Sequence, residues 1–283
     1  MKNILLPTDF SENSWNAIAY ALKFFEKTSC TFYLLHVSVL SYIAASDSPY
    51  ITDKDFVENT FTKPAKKQLK SLLKRIATEF PESKNHHFFT LTDCNFFVES
   101  VRSHVLEKKI DMIVMGTKGA SGLKKVIVGS NAADVIKKVK CPTLVVPEDA
   151  QFVDLDEIAF PIDYLLTYGV RLLKPLHNIL DVHKSSLQVV HITNKAAELS
   201  IEQQDNKDLL NEYFSKFRIK FYNLSNKNVE DAIECFVQSR NVKMMAMVAK
   251  NINYFQRILF HNKIEEITYH TRIPFLVMHD KMH

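Results

Sequence analysis

The chain contains an internal repeat, and this repeat constrains the fold more than any other feature of the sequence. Three pairs of short segments match between the two halves: Ile4–Asp9 with Ile158–Asp163, Leu34–Ser38 with Val189–Thr193, and Cys141–Val146 with Ile273–Met278. The polar stretch Pro147–Gln151 lies between the copies. The 283 residues therefore predict two domains of ordinary size, residues 1–147 and residues 152–283. The second copy is shorter, because it lacks a stretch that the first carries between Ser38 and Asn95.

Each copy alternates short apolar runs with helical patterns. The predicted strands of the first copy are Ile4–Leu6, Phe32–Val37, His87–Leu91, Met112–Met115 and Thr143–Val146. Their nearly continuous apolar content is typical of strands buried on both faces, as in a parallel sheet covered by helices. Apolar residues at helical spacing lie between them, namely Ala17, Ala21, Leu22 and Phe25, and then Val98, Val101, Val105 and Leu106. This order predicts an α/β fold of two tandem doubly wound parallel-sheet domains.

Glycine is rare in this chain, and its distribution marks one loop. Four of the five glycines fall within a single stretch, at Gly116, Gly119, Gly122 and Gly129. The stretch begins where a predicted strand ends and runs into a helix whose predicted cap is Ser130 and Asn131. Ligands of open α/β sheets bind at the carboxyl ends of strands, where glycine lets backbone N–H groups approach a phosphate. The spacing matches neither the GxxxxGK[ST] P-loop nor the GxGxxG dinucleotide pattern.

The glycine spacing resembles a third pattern. Gly116-x2-Gly119-x9-Gly129-Ser130 is similar, at every fixed position, to the ATP-binding signature of the universal stress protein family. The opening segment with Asp9, the strand that ends in Leu35–Val37, and the closing Cys141–Pro147 also resemble that family. The resemblance covers nearly the whole chain as two tandem copies. It implies a five-stranded, Rossmann-like parallel sheet of the adenine nucleotide alpha hydrolase type, which holds ATP across the ends of its first and fourth strands.

The resemblance also implies which residues contact the nucleotide, which would be ATP together with Mg²⁺. The implied contacts are Pro7, Thr8 and Val37 around the adenine, Asp9 at the adenine or ribose, Met115, Gly116, Thr117, Lys118 and Gly119 at the ribose and phosphates, and Gly129, Ser130 and Asn131 at the phosphates. Two of these residues have an alternative role. Asp9 also suits capping of the helix that follows near Ser11, and Lys118 also suits a solvated loop position.

The second copy has lost the glycine loop. In the ungapped alignment of the two halves, other residues replace the glycines: Val248 for Gly116, Asn251 for Gly119, Tyr254 for Gly122 and His261 for Gly129. The bulky replacements would crowd a phosphate, so we expect one nucleotide site, in the first domain. Asp163 retains the position of Asp9, where we expect it to cap a helix. In the family the last strands form a dimer contact, which implies pairing of Thr143–Val146 with Pro274–Met278 within this chain and leaves a homodimer open.

Composition argues against several other classes of protein. A net charge of +4 without a basic stripe predicts no nucleic-acid binding, and no apolar run approaches the length of a membrane span. We expect the basic segment Lys63–Arg75 to be the solvated face of a helix that packs on the sheet. The four cysteines, which form no CxxC pair, predict buried free thiols, and the opening residues lack the features of a secretory signal. These observations predict a cytoplasmic protein.

Three functions stay open at this point. The first is an ATP-binding regulatory or stress-response protein with no committed reaction, for which slow ATP hydrolysis is compatible. The second is an adenine-nucleotide-dependent enzyme that carries out adenylyl transfer, and the third is a nucleotide-free tandem interaction scaffold. The sequence contains no assignable acid and base pair and no zinc-type histidine spacing. The intact glycine pattern favours the first function, with protein partners left unidentified.

Overall fold

The structure, a computed structural model, describes residues 1–39, 54–81, 85–117, 129–165, 167–193, 198–249 and 273–279. Its strands are β1 (Lys2–Pro7), β2 (Cys30–Val39), β3 (His86–Asn95), β4 (Met112–Gly116), β5 (Thr143–Val146), β6 (Glu157–Ile162), β7 (Ser186–Thr193), β8 (Ile219–Ser225), β9 (Met244–Val248) and β10 (Phe275–Met278). Its helices are α1 (Glu12–Phe24), α2 (Lys54–Val57), α3 (Lys63–Glu79), α4 (Phe97–Glu107), α5 (Ser130–Lys138), α6 (Val170–His183), α7 (Ile201–Tyr213) and α8 (Val229–Arg240). A π-helical turn, Glu58–Thr62, joins α2 to α3.

The strands form one ten-stranded sheet with the order β3-β2-β1-β4-β5-β10-β9-β6-β7-β8. Strands within each half are parallel, and the two halves meet where β5 pairs antiparallel with β10, with Leu144 opposite Leu276. The order is the same in both halves when each is followed from its outer edge to this seam. The predicted class, an α/β fold with five parallel strands per half, is therefore confirmed.

Apolar residues on both faces of the sheet explain why these segments fold together. Ile4 and Leu6 of β1 pack into a core cluster with α1, α3, α6 and α7, while Leu5 packs into the opposite cluster with α4, α5 and α8. Successive side chains of a strand point to opposite faces, so a continuous apolar run fills both layers. Each cluster contains residues from both halves. The two halves thus share their hydrophobic layers across the seam.

The repeat seen in the sequence appears as equivalent elements. The bounds of β4 and β9 differ by the same shift as those of β5 and β10, which is the shift of the ungapped alignment. The extra length of the first copy contains α2 and the π-helical turn, while residues 40–53 of that stretch lie outside the described residues. Within α3, Ala65, Leu69, Leu72 and Ile76 are buried and the lysines lie outside, which confirms a solvated outer face.

Two details of the sequence interpretation are wrong. Leu106, grouped in the sequence with Val98, Val101 and Val105 at helical spacing, is 63% exposed, and Ser100 and His104 are buried beside Val101 instead. Both bond to Asp93 Oδ2 from β3, and the His104 Nε2 contact measures 3.0 Å. All four cysteines are free as predicted, but Cys235 is exposed and Cys94 is half-buried rather than buried. In the described part of the chain, no helix has the length and apolarity needed to cross a membrane.

Candidate functional site

The candidate site lies where the strand order of the first half reverses. The chain passes from β1 to β2 on one side, while β4 and β5 lie on the other side of β1. Strands β1 and β4 are parallel neighbours, with Leu5 opposite Ile113, so their carboxyl ends meet at the same edge. Loops that diverge from two such strands leave a crevice, which is the usual ligand position in open α/β sheets. Of the residues predicted from the sequence, Pro7, Thr8 and Asp9 lie at the carboxyl end of β1, and Met115, Gly116 and Thr117 at the carboxyl end of β4.

The turn after β1 is fixed by Thr8, which is buried. The backbone N–H of Thr8 donates to the Leu35 carbonyl at 2.8 Å. Its hydroxyl oxygen accepts from the Phe10 N–H at 3.0 Å and lies 3.0 Å from the Ser14 hydroxyl. These bonds fix the shape of the turn and tie it to β2 and α1.

Asp9 supports the start of α1. One carboxylate oxygen, Oδ1, accepts from the Ser11 hydroxyl at 2.6 Å and from the Ser11 N–H at 3.1 Å. Ser11 is the N-cap of α1, and its hydroxyl oxygen accepts from the Ser14 N–H at 3.2 Å. The carboxylate is half-buried at the mouth of the crevice. The alternative role considered for Asp9, at the cap of the following helix, is therefore present in the structure through Ser11.

Sequence reasoning missed an aromatic pair at this turn. Phe10 has a φ of 65°, which is unusual for a bulky residue, and its ring centroid lies 4.4 Å from that of His36. The His36 Nδ1 is 2.9 Å from the Thr8 carbonyl oxygen, so the ring holds the turn from the next strand. The same arrangement recurs in the second half, where Tyr164 has a φ of 58° and packs on His191. Aromatic residues at matching repeat positions are the one sequence signal that points to this pair.

Gly116 is required by a close approach between β4 and α1. A Cβ at this position would lie 2.7 Å from Asn13 Nδ2 and 3.0 Å from Asn13 Cγ, closer than side chains pack. Asn13 is buried in the first turn of α1, so its side chain would have to rotate within the core to make room for a Cβ. Sequence reasoning did not find Asn13, because nothing in its local pattern reveals a contact with a residue so distant in the chain. The first glycine of the pattern thus has a steric reason that is independent of any ligand.

The far end of the glycine stretch returns to the same edge of the sheet. The Gly129 N–H donates to the Thr117 carbonyl, which brings the two ends of the stretch together. Gly129 is the N-cap of α5, with φ −62° and ψ 159°, so the cap lies one residue before the predicted Ser130 and Asn131. Those two residues are exposed in the first turn, where backbone N–H groups have no partner within the helix. Lys118, Gly119 and Gly122 lie outside the described residues.

Two predicted contact residues belong mainly to the core. Val37 is 8% exposed and Met115 is 5% exposed, and both pack in the cluster under α4 and α5. They lie at the carboxyl ends of β2 and β4, on either side of β1. Among the residues that the structure describes, no group of three or more histidine, cysteine or carboxylate side chains is arranged to hold a metal ion.

The corresponding edge of the second half has a different shape. Val248 ends β9 at the position of Gly116 and is buried. Helix α6 begins at Val170, with Gly169 as its N-cap, about one turn later relative to its strand than α1 does. The expectation that Asp163 caps a helix is therefore wrong. Its Oδ1 instead accepts from the Leu165 N–H at 3.1 Å, within the turn that precedes α6. The counterparts of the other glycines lie outside the described residues.

Comparisons with known proteins identify the family of the first half. The model of the universal stress protein family matches residues 1–147. The universal stress protein MJ0531 of Methanocaldococcus jannaschii is 30% identical over 145 residues, which cover 51% of this chain and 81% of that protein. The universal stress protein YxiE of Bacillus subtilis is 26% identical over 145 residues, covering 50% of this chain and 97% of that protein.

A solved structure resembles the whole chain rather than half of it. The crystal structure of a universal stress protein from Archaeoglobus fulgidus superposes with a TM-score of 0.70 at 16% identity, and the match covers 97% of each chain. At this identity the likeness concerns the fold alone, and it extends over both halves. The family itself rests on the match to the first 147 residues, which make up more than half of the chain. On this evidence the chain belongs to the universal stress protein family.

Proposed function

We propose that this chain binds one molecule of ATP, together with Mg²⁺, in its first half, and that it acts as a regulatory protein in a stress response. The observation that carries the proposal is the hydrogen bond from Gly129 N–H to the Thr117 carbonyl. It holds the two ends of the family's glycine signature at the crevice between β1 and β4, where open α/β sheets bind ligands. Family membership supports the stress-response role, and the signature supports the nucleotide.

The described residues fit the parts of a nucleotide in this order. Pro7, Thr8 and Val37 would border the adenine, because the turn after β1 is tied to β2 by the bond from the Thr8 N–H to the Leu35 carbonyl, and Val37 lies near the end of β2. Asp9 would reach the ribose or the adenine from the same turn. Beside Met115, the backbone of Gly116 and Thr117 would follow the ribose and phosphates, together with Lys118 and Gly119. Gly129, Ser130 and Asn131 at the start of α5 would hold the phosphates.

The start of α5 is the strongest anion-binding feature of this site. Its first-turn N–H groups lack intrahelical partners, and the helix dipole places positive charge there. Lys137 and Lys138 in the last turn match the negative end of the dipole, and the first turn carries no acidic side chain that would repel an anion. Since the described residues offer no metal-binding cluster, Mg²⁺ would be held mainly by the phosphate oxygens of the nucleotide.

The second half would serve as a partner for the first. Residues 152–283 would form a domain of the same type that lacks nucleotide, because Val248 fills the position where the backbone of Gly116 would approach the ligand. The antiparallel pairing of β5 with β10 would replace the contact that single-domain relatives make between two chains. Further association into a homodimer would then use other surfaces.

Titration calorimetry with ATP and Mg²⁺ tests the position of the site through two matched variants. Gly129 and Gly169 are both N-caps with nearly the same backbone angles, φ −62° and −66°, that any residue adopts. Gly129→His copies the residue of the second half and should abolish binding, while Gly169→His makes the same change in the other half and should leave binding intact. Binding that survives Gly129→His, or that both variants weaken equally, would contradict the proposed site.

A further inference from the structure

The second half contains a cleft that lies apart from the proposed nucleotide site. It has a volume of about 820 Å³ and opens between the carboxyl ends of β7 and β8 and the first turns of α7. The strand order of this half reverses between β6 and β9, so the cleft lies beyond that switch point, toward the outer edge of the sheet. Its wall combines carboxylate, amide and hydroxyl groups with the apolar side chains of Leu199, Ile201 and Leu224.

His191 lines this cleft and is only 4% exposed, which places it at the floor. Its Nδ1 is 2.9 Å from the Ile162 carbonyl oxygen, and a carbonyl only accepts, so Nδ1 carries the proton. In the neutral ring Nε2 is then an acceptor, and it has no hydrogen-bond partner among the residues that the structure describes. A buried acceptor without a donor costs free energy, which a ligand N–H or O–H would offset.

The charges at the rim favour a cation. Glu198 and Asp205 are exposed carboxylates that line the cleft, and neither has an ion-pair partner within the described ranges. Lys207 also lines the cleft as a positive charge, but its Nζ lies 5.4 Å from the centroid of the Phe221 ring, whose negative face attracts it. Two carboxylates therefore face one lysine whose charge already has an aromatic partner.

The helix start beside the cleft does not offer a site for an anion. Ser200 and Gln203 form a capping box at the N-terminus of α7, with the Gln203 N–H donating to the Ser200 hydroxyl at 3.2 Å and the Ser200 N–H donating to Gln203 Oε1 at 3.0 Å. The N–H donors that attract phosphate at a helix start are therefore partly occupied by the chain itself.

We propose that this cleft binds a small organic cation that carries ammonium groups on an apolar body. The ammonium groups pair with Glu198 and Asp205, and one N–H donates to His191 Nε2. The methylene groups pack on the apolar wall formed by Leu199, Ile201 and Leu224. Because neither ATP nor the first half takes part in this binding, the proposal is tested independently of the proposed nucleotide site.

An NMR titration of the full chain without nucleotide tests the proposal with three probes of matched length. Cadaverine carries two ammonium groups, pentanediol carries hydroxyl groups, and glutarate carries carboxylates. We expect cadaverine to cause saturable shifts at the backbone amides of His191 and Ser225, pentanediol to bind more weakly, and glutarate to cause none. Absence of a saturable cadaverine shift, or tighter binding of glutarate, would overturn the proposal.

Single-residue variants then separate the site from general surface charge. Glu198→Gln and Asp205→Asn should each weaken cadaverine binding about two- to fivefold, as expected for an exposed ion pair. Glu202→Gln is the matched control, because this carboxylate lies on the same helix outside the cleft lining. Lys207→Met should strengthen binding. The proposal would be contradicted if Glu202→Gln weakened binding as much as Asp205→Asn, or if neither Glu198→Gln nor Asp205→Asn had an effect.

Discussion

The contact between Gly116 and Asn13 makes the sharpest prediction for this chain. Gly116→Ala adds a methyl group 2.7 Å from Asn13 Nδ2, well inside normal contact distance. Asn13 is 8% exposed in the first turn of α1, so either its buried side chain has to rotate or the start of α1 has to shift to relieve the strain. Overpacking of this kind costs about 1–3 kcal/mol, and we expect Gly116→Ala to lower the stability of the first half by that amount.

A double-mutant cycle isolates this contact. Asn13→Ala removes the side chain that the new methyl group meets, so in that background Gly116→Ala should lower the free energy of unfolding by less than about 0.5 kcal/mol. It could also raise that free energy, since alanine restricts the unfolded chain more than glycine does. The expected coupling is about 1–2 kcal/mol. Urea titrations followed by fluorescence of Trp15, the single tryptophan, report on α1 itself. Equal losses in both backgrounds would refute the steric explanation.

Three further predictions concern the rest of the molecule. Burial lowers the pKa of His183 to about 4, so between about pH 4 and 6.5 the unfolded chain binds more protons than the folded chain does. The free energy of unfolding should therefore fall by about 1–2 kcal/mol as the pH drops through that window. Urea titrations should show a flatter pH dependence for His183→Gln. Arg75→Ala removes a guanidinium 4.0 Å from the Trp15 ring centroid, so we expect a shifted tryptophan emission and a loss of about 0.5–1 kcal/mol. Leu276→Ala, at the fully buried seam between β5 and β10, should lower the free energy of unfolding by about 2–5 kcal/mol. Ile201→Ala, at an 85% exposed position, should lower it by less than about 0.5 kcal/mol. Similar losses for the two variants would contradict a buried contact between the halves.

The sheet could be predicted from the sequence because its strands are continuous apolar runs. Segments such as Met112–Gly116 and Met244–Val248 are buried on both faces, and such strands leave a strong, uninterrupted signal. The repeat then supplied the positions of three strands in both halves, namely β1 with β6, β2 with β7, and β5 with β10. The count of five parallel strands per half followed from the family resemblance, whereas the strand order and the helix bounds come from the structure.

The details of the candidate site depend on contacts that local patterns do not contain. The approach of Asn13 to Gly116 joins a helix to a distant strand, and the positive φ of Phe10 is stabilised by the ring of His36 on the next strand. The exposure of Leu106 is similar, because Ser100 and His104, which bond to Asp93, lie on the buried face of α4 and Leu106 does not. The spacing of apolar residues does not reveal polar residues that are buried because they bond to each other.

The number of nucleotides bound per chain tests the central claim most directly. Native mass spectrometry of protein freed of co-purified nucleotide, titrated with ATP and Mg²⁺, counts the bound molecules on each chain. We predict one ATP per chain for the native sequence and none for Gly129→His. Zero bound nucleotides on the native chain would remove the proposed site, and two would show that the second half binds ATP despite Val248 at the end of β9.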